Sequence, residues 1–140
     1  MSTVVRDIMK RKVVTIAAGE RLSTVEDIMT LGGVRHIPVV RGGDLVGVVT
    51  ERDLLRTSLS NLNQYGADAR RAFLSAVEIA RVMSSPPITI EQAAPVSEAA
   101  RQMAERKIGC LPVVDETGRF VGLVTETDLL RHFAGLPPAP

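Results

Sequence analysis

Apolar and polar residues follow one pattern along this chain, and the pattern is written twice. In the first pass, Val13 to Ile16 is a short β-rich stretch. Ser23 follows as an expected helix cap, leading a helix that carries Val25, Ile28 and Met29 at helical spacing. Ile37 to Val40 and Leu45 to Thr50 are apolar runs separated by a Gly-Gly-Asp turn, which predicts a hairpin. Leu54 and Leu55 then open a closing helix. In the second pass the same roles fall to Ile88 to Ile90, to Val96, Ala99, Ala100 and Met103, to Leu111 to Val114, and to Leu129 and Leu130. Each pass reads β-α-β-β-α. Pro38 and Pro112 lack an N–H and are expected at a strand's first residue or on a sheet edge.

The two passes align residue by residue. Arg6-Asp7-Ile8-Met9 is echoed by Ala80-Arg81-Val82-Met83, and Ile37-Pro38-Val39-Val40 by Leu111-Pro112-Val113-Val114, each 74 positions on. Gly47-Val48-Val49-Thr50-Glu51-Arg52-Asp53-Leu54-Leu55-Arg56 returns as Gly122-Leu123-Val124-Thr125-Glu126-Thr127-Asp128-Leu129-Leu130-Arg131, now 75 on. The extra residue falls where Arg41-Gly42-Gly43-Asp44 faces Asp115-Glu116-Thr117-Gly118-Arg119, in a turn, where insertions are tolerated. The duplication sets the expected organisation: a first unit over 1–57, a linker over 58–79, a second unit over 80–134 and a tail over 135–140. One unit alone buries little apolar surface. The expected fold is therefore α+β, two β-α-β-β-α units packed with pseudo-twofold symmetry around a shared core. Within the linker, Ser58 to Gly66 reads as a loop. Ala69, Ala72, Phe73, Ala76, Val77 and Ala80 then form an apolar stripe, widened by Leu74 and Ile79, that predicts an amphipathic helix covering the core or meeting a partner.

Composition narrows the class without naming it. The chain of 140 residues is 45% hydrophobic and 24% charged, which suits a globular domain rather than a disordered one. The 17 basic and 16 acidic side chains nearly cancel, and only four aromatics are present, which argues against nucleic acid or an anionic membrane as partner. No apolar run approaches a membrane span, and the N-terminus lacks a signal-like stretch. With one cysteine, Cys110, an internal disulfide is excluded and a cytoplasmic location is expected.

The h-P-V-V strands at 37–40 and 111–114 and the G-h-V-T-x-x-D-L-L segments at 47–55 and 122–130 carry a resemblance. In this order, spacing and duplication the chain resembles a tandem pair of cystathionine-β-synthase-type (CBS) domains, the Bateman module, over Val5 to about Phe133. It is similar to the stand-alone members, having no attached enzyme or channel domain in this sequence. The resemblance implies binding of an adenosine-type ligand (AMP, ADP, ATP or S-adenosylmethionine) in clefts between the units, and a homodimer. Such a module requires no cofactor.

The residue types in the repeated motif suit that chemistry. Thr50 and Thr125 each end a strand and open a helix, where unpaired N–H groups and the helix dipole attract phosphate. Asp53 and Asp128, three residues later, have the acceptor-only carboxylate that two ribose hydroxyls need. The same T-x-x-D also reads as a capping box that needs no ligand and contributes about 1 kcal/mol. Arg35 and His36, ahead of the first h-P-V-V strand, are candidates to meet phosphate or a solvated loop pair. Ile16 and Ile37 are candidates to sandwich an adenine ring. Thr15 and Thr89 are candidates to line the clefts or plain strand threonines. The second copy has Gly109 and Cys110 at the positions of Arg35 and His36, and Thr127 at that of Arg52, so the two sites are expected to differ.

Other chemistry is not supported. His36, His132 and Cys110 make no zinc spacing, so no metal site is expected. Cys110 precedes a buried strand and reads as a core residue rather than a nucleophile. No nucleophile motif is present, so neither catalytic residues nor enzyme activity is expected. The expectation is a regulatory adenine-nucleotide sensor read by a partner protein. The alternative is a ligand-free dimerisation or scaffold module.

Overall fold

The computed structural model describes residues 3–59 and 66–139; residues 60–65, most of the expected loop, lie outside the described residues. The chain divides into two compact units: Val14–Pro87, and the chain up to Val13 together with the chain from Ile88 onward.

In the Val14–Pro87 unit, β1 (Ile16–Ala17) leads through α1 (Leu22–Gly32) to β2 (His36–Arg41), then β3 (Asp44–Thr50), α2 (Glu51–Leu59) and α3 (Ala67–Ala76). The sheet order is β1-β2-β3, parallel in the first pair and antiparallel in the second. Gly42 and Gly43 form the expected hairpin turn, with φ of 59° and 86°. Positive φ at both turn residues matches the twist of the flanking strands, and glycine reaches it without strain.

The other unit repeats this with β4 (Ile90–Glu91), α4 (Val96–Arg106), β5 (Cys110–Val114), β6 (Phe120–Thr125) and α5 (Glu126–Phe133). Its order is β4-β5-β6. The longer turn is closed by Asp115, whose Oδ1 accepts from the Thr117 and Arg119 N–H groups at 2.9 and 3.0 Å. The α+β fold and its twofold repetition are as expected from the sequence.

The compact units are offset from the repeats. The segment that begins each repeat lies on the sheet of the other repeat. Lys10 N–H donates to the Leu123 carbonyl at 2.8 Å, and Leu123 N–H donates back at 2.9 Å. Val48 and Ser84 make the matching exchange at 3.1 and 2.9 Å. The outward-facing N–H and C=O groups of β6 and β3 thereby find partners. Val5, Ile8 and Met9 join the core of Ile90, Leu111 and Val124, while Ile79 joins that of Ile37 and Val49. The two clusters have no buried residue in common, and each is completed by its own short segment.

Four local expectations are corrected. Ser23 is not a cap: α1 starts earlier, at Leu22, whose N–H donates to the Val77 carbonyl at 3.0 Å, and Ser23 is buried in the first turn. Pro38 is the third residue of a central strand rather than at a strand start. It is nevertheless tolerated, because Val48 opposite turns its own N–H and C=O outward to Ser84, so Pro38 faces the β1 side. There β1 pairs only from Val39 onward, and no ladder bond needs the missing N–H. Pro112, opposite Leu123, repeats the arrangement.

The linker helix is the third correction. It stops at Ala76, and Ala80 lies in a separate 3-10 turn, Ile79–Arg81. Leu74 is buried and Phe73 packs partly buried against the same core, so part of the expected stripe does cover it, while Ala69, Ala72 and Ala76 are exposed. The surface of α1 offers carboxylates instead: Arg70 pairs with Glu26 at 2.5 Å, and Arg71 with Glu26 and Asp27 at 2.8 Å each. The fourth is Ser58, which is no loop residue but is buried in α2, donating to the Leu54 carbonyl at 2.8 Å.

Candidate functional site

Sheet topology gathers the candidate residues. Because β1 and β2 are parallel and β3 is antiparallel to β2, the N-terminal ends of β1 and β2 meet the C-terminal end of β3. Thr15 immediately precedes β1, His36 opens β2 opposite Thr50, and Glu51 N–H donates to the Arg35 carbonyl at 2.8 Å. Thr15, Arg35, His36, Thr50 and Asp53 therefore share one end of the sheet. In the other unit Thr89, Gly109, Cys110, Thr125 and Asp128 occupy the same end, with Glu126 N–H donating to the Gly109 carbonyl at 3.0 Å.

Both T-x-x-D motifs form reciprocal capping boxes. Thr50 N–H donates to Asp53 Oδ2 at 2.9 Å, and Asp53 N–H donates to Thr50 Oγ1 at 3.2 Å. Thr125 N–H donates to Asp128 Oδ2 at 2.8 Å, with Asp128 N–H returning to Thr125 Oγ1 at 3.4 Å. Each box satisfies donors that a helix start leaves open. The remaining oxygens differ. Lys10 Nζ lies 2.7 Å from Asp128 Oδ1, and Asp128 is 3% exposed. Asp53 is half-buried, and among the described residues nothing reaches its Oδ1.

Lys10 is the residue that sequence reasoning missed. Its signal was present, since the position 74 residues on is Ser84, a charge that the repeat does not keep. What the sequence lacked was the offset that carries Lys10 to the other repeat's Asp128.

Ile16 and Ile37, expected to sandwich an adenine ring, lie in the core of their unit. They are 5% and 0% exposed and belong to the buried cluster. The exposed apolar residue beside Thr15 is Val14, at 49%. Thr15 and Arg35 are exposed, while Thr89 and His36 are half-buried. Cys110 is buried, and burial together with the nearby Glu126 carboxylate pushes its thiol up to about 12, so it holds its proton at neutral pH. Among the described residues no group of three or more His, Cys, Asp or Glu side chains could hold a metal. No helix among them is long and apolar enough to cross a membrane.

A paired-repeat fold with a capped Thr-x-x-Asp at one end of each sheet defines a class, and the CBS domain family model matches the chain over residues 5–60 and 79–135. The chain belongs to the CBS domain family. It is 33% identical over 131 residues to a CBS domain-containing protein of Dictyostelium discoideum, covering 93% of this chain and 90% of that protein. Other curated relatives are longer, and the chain spans 24% of a homoserine O-acetyltransferase of Methanococcoides burtonii.

Among solved structures, it resembles the CBS domain pair of protein MJ0100 in complex with 5′-methylthioadenosine and S-adenosyl-L-methionine. That pair gives a TM-score of 0.79 at 28% identity, covering 96% of this chain and 98% of that one. It also resembles the CBS domain of a bacterial CNNM/CorC family Mg2+ transporter in complex with ATP. There the TM-score is 0.78 at 25% identity, covering 96% and 89%.

Proposed function

We propose that the chain is a non-catalytic regulatory module that binds an adenine nucleotide or S-adenosylmethionine at the sheet end built from T-x-x-D. The observation that carries the reading is the convergence of Thr15, Arg35, His36, Thr50 and Asp53 on one sheet end beside a helix start. Asp53 accepts from the ribose hydroxyls, and the helix N-terminus with Arg35 meets phosphate. The ligands of the two solved relatives, 5′-methylthioadenosine with S-adenosyl-L-methionine in one and ATP in the other, support an adenosine-type ligand.

The module acts as a homodimer. Leu55 and Leu59 on α2 are 56% and 54% exposed, and Leu130 and Phe133 on α5 are 66% and 92% exposed, so each unit has exposed apolar residues that a second copy would cover. Binding then shifts the module between arrangements that a partner protein distinguishes, which requires different affinity for the two. Its place is the cytoplasm, where Cys110 stays reduced.

Thermal melting with AMP, ADP, ATP and S-adenosylmethionine tests the reading. A ligand at a hundredfold excess over its dissociation constant stabilises by about 2.7 kcal/mol. Silence with all four at millimolar concentration would refute it. The second reading, a ligand-free dimerisation or scaffold module, draws on the closed capping boxes, which complete the helix starts without a ligand. It expects that silence together with melting that depends on protein concentration.

A further inference from the structure

We infer that the two copies of T-x-x-D have diverged in role: Asp53 is the ribose acceptor, whereas Asp128 is an anchor for the leading segment through Lys10, so the chain takes one nucleotide. The first half rests on the nucleotide-binding reading above. The second rests on the ion pair alone.

Two vicinal hydroxyls need a carboxylate with both oxygens reachable and with lone pairs to spare. Asp128 has neither. Its Oδ2 accepts from Thr125 N–H at 2.8 Å and Thr125 Oγ1 at 3.0 Å, and its Oδ1 lies 2.7 Å from Lys10 Nζ. It is 3% exposed. A ribose there would have to displace the ammonium and leave a buried carboxylate without its counter-charge, which is costly.

The pairing is not accidental in register. Lys10 backbone is bonded to Leu123 in both directions, which sets the side chain above the start of α5. At the corresponding place in the Val14–Pro87 unit, Ser84 makes the same backbone exchange with Val48 and brings no cation to Asp53.

The surrounding charges sort the same way. Arg35 and Arg52 flank the Asp53 motif, where the other copy has Gly109 and Thr127. The hollow beside Asp128, about 180 Å³, is lined by Asp7, a second carboxylate that would repel phosphate, and by His132. Among the described residues, one copy thus keeps an acceptor oxygen without a hydrogen-bond donor beside Arg35 and Arg52, and the other has its second oxygen paired with a lysine.

Titration calorimetry with ATP and with AMP, on the full chain, tests the first half. One nucleotide per chain is expected, falling to none in Asp53→Asn. Two per chain, or wild-type affinity retained in Asp53→Asn, overturns it. A double-mutant cycle on melting temperature tests the second half without any ligand. Lys10→Met and Asp128→Asn should each lower the melting temperature, and the double variant should fall by clearly less than the sum. Additive shifts overturn the anchor. If wild type binds neither nucleotide, nor S-adenosylmethionine, the functional reading fails with the first half, and the cycle still decides the second.

Discussion

Gly122→Ala should loosen the leading segment from its sheet. A Cβ at Gly122 would lie 2.6 Å from the Lys10 carbonyl oxygen and 2.8 Å from Met9 Sδ. The sulfur sits on a flexible side chain and can move, but the carbonyl belongs to backbone held by the Lys10–Leu123 exchange. Overpacking of this kind costs about 1–3 kcal/mol. The backbone at Gly122 is not left-handed, so alanine also restricts the unfolded chain and offsets about 0.4–1 kcal/mol. The expected net loss is about 1–2 kcal/mol, a fall in melting temperature of about 3–8 °C at this chain length. Complete detachment would expose Val5, Ile8 and Met9, at about 1.5–3 kcal/mol each. The segment is therefore expected to shift and open more often rather than leave.

Hydrogen exchange locates the effect. The Lys10 and Leu123 amides should exchange faster, while Val48 and Ser84, which make the same contact in the other unit, should not change. Gly19→Ala is the control, since its Cβ would meet nothing within 4 Å and its backbone is not left-handed. Wild-type melting of Gly122→Ala, with unchanged exchange at Lys10 and Leu123, would refute the argument that this glycine exists for close approach.

Three further outcomes follow from other contacts. Leu74→Ala removes the buried residue of α3 and should cost about 2–5 kcal/mol, read by denaturant melting, whereas Ala72→Ser on its exposed face should change little. Lys107 ends α4 with φ 55°, so Lys107→Gly should stabilise by about 1 kcal/mol in the same assay, and no gain would contradict the assigned cap. Burial raises the Glu26 carboxyl, but the hydrogen bonds and charges of Arg70 and Arg71 outweigh it and hold the group below its ordinary 4.5. Its contribution is therefore present above that value and lost as pH falls through the lower folded one. Glu26→Gln should flatten the acid limb of the pH–stability curve, and an unchanged limb would contradict the clamp.

The sequence showed most where information is local. The duplication, the Gly-Gly turn, the inserted turn residue and T-x-x-D all depend on neighbours within a few positions, and each is found where it was read. The errors came from longer range. Ser23 looks like a cap until the Val77 carbonyl, more than fifty residues away, is seen at the start of α1. Ile16 and Ile37 read as cleft residues in the sequence, and their burial shows only once the cluster that includes Ile79 is assembled. The stripe read from Ala69 to Ala80 meets the core through Phe73, Leu74, Val77, Ile79 and Ala80, while Ala69, Ala72 and Ala76 stay exposed and Arg70 and Arg71 pair with carboxylates of α1. Gly47 and Gly122 were legible as motif letters and not as reasons, because the backbone that passes over them comes from the other repeat.

That crossing bears on how the chain can be divided. A cut within residues 60–65 separates the repeats at the seam the sequence suggests, yet leaves each fragment holding the wrong segment. The first fragment keeps Val5 and Met9, which complete the core of the second, and the second keeps Ile79 and Met83, which complete that of the first. Neither fragment should be stable in isolation, but mixing them should restore both cores by mutual complementation. The covalent connection then serves chiefly as a tether, raising the local concentration of each segment at the groove it fills.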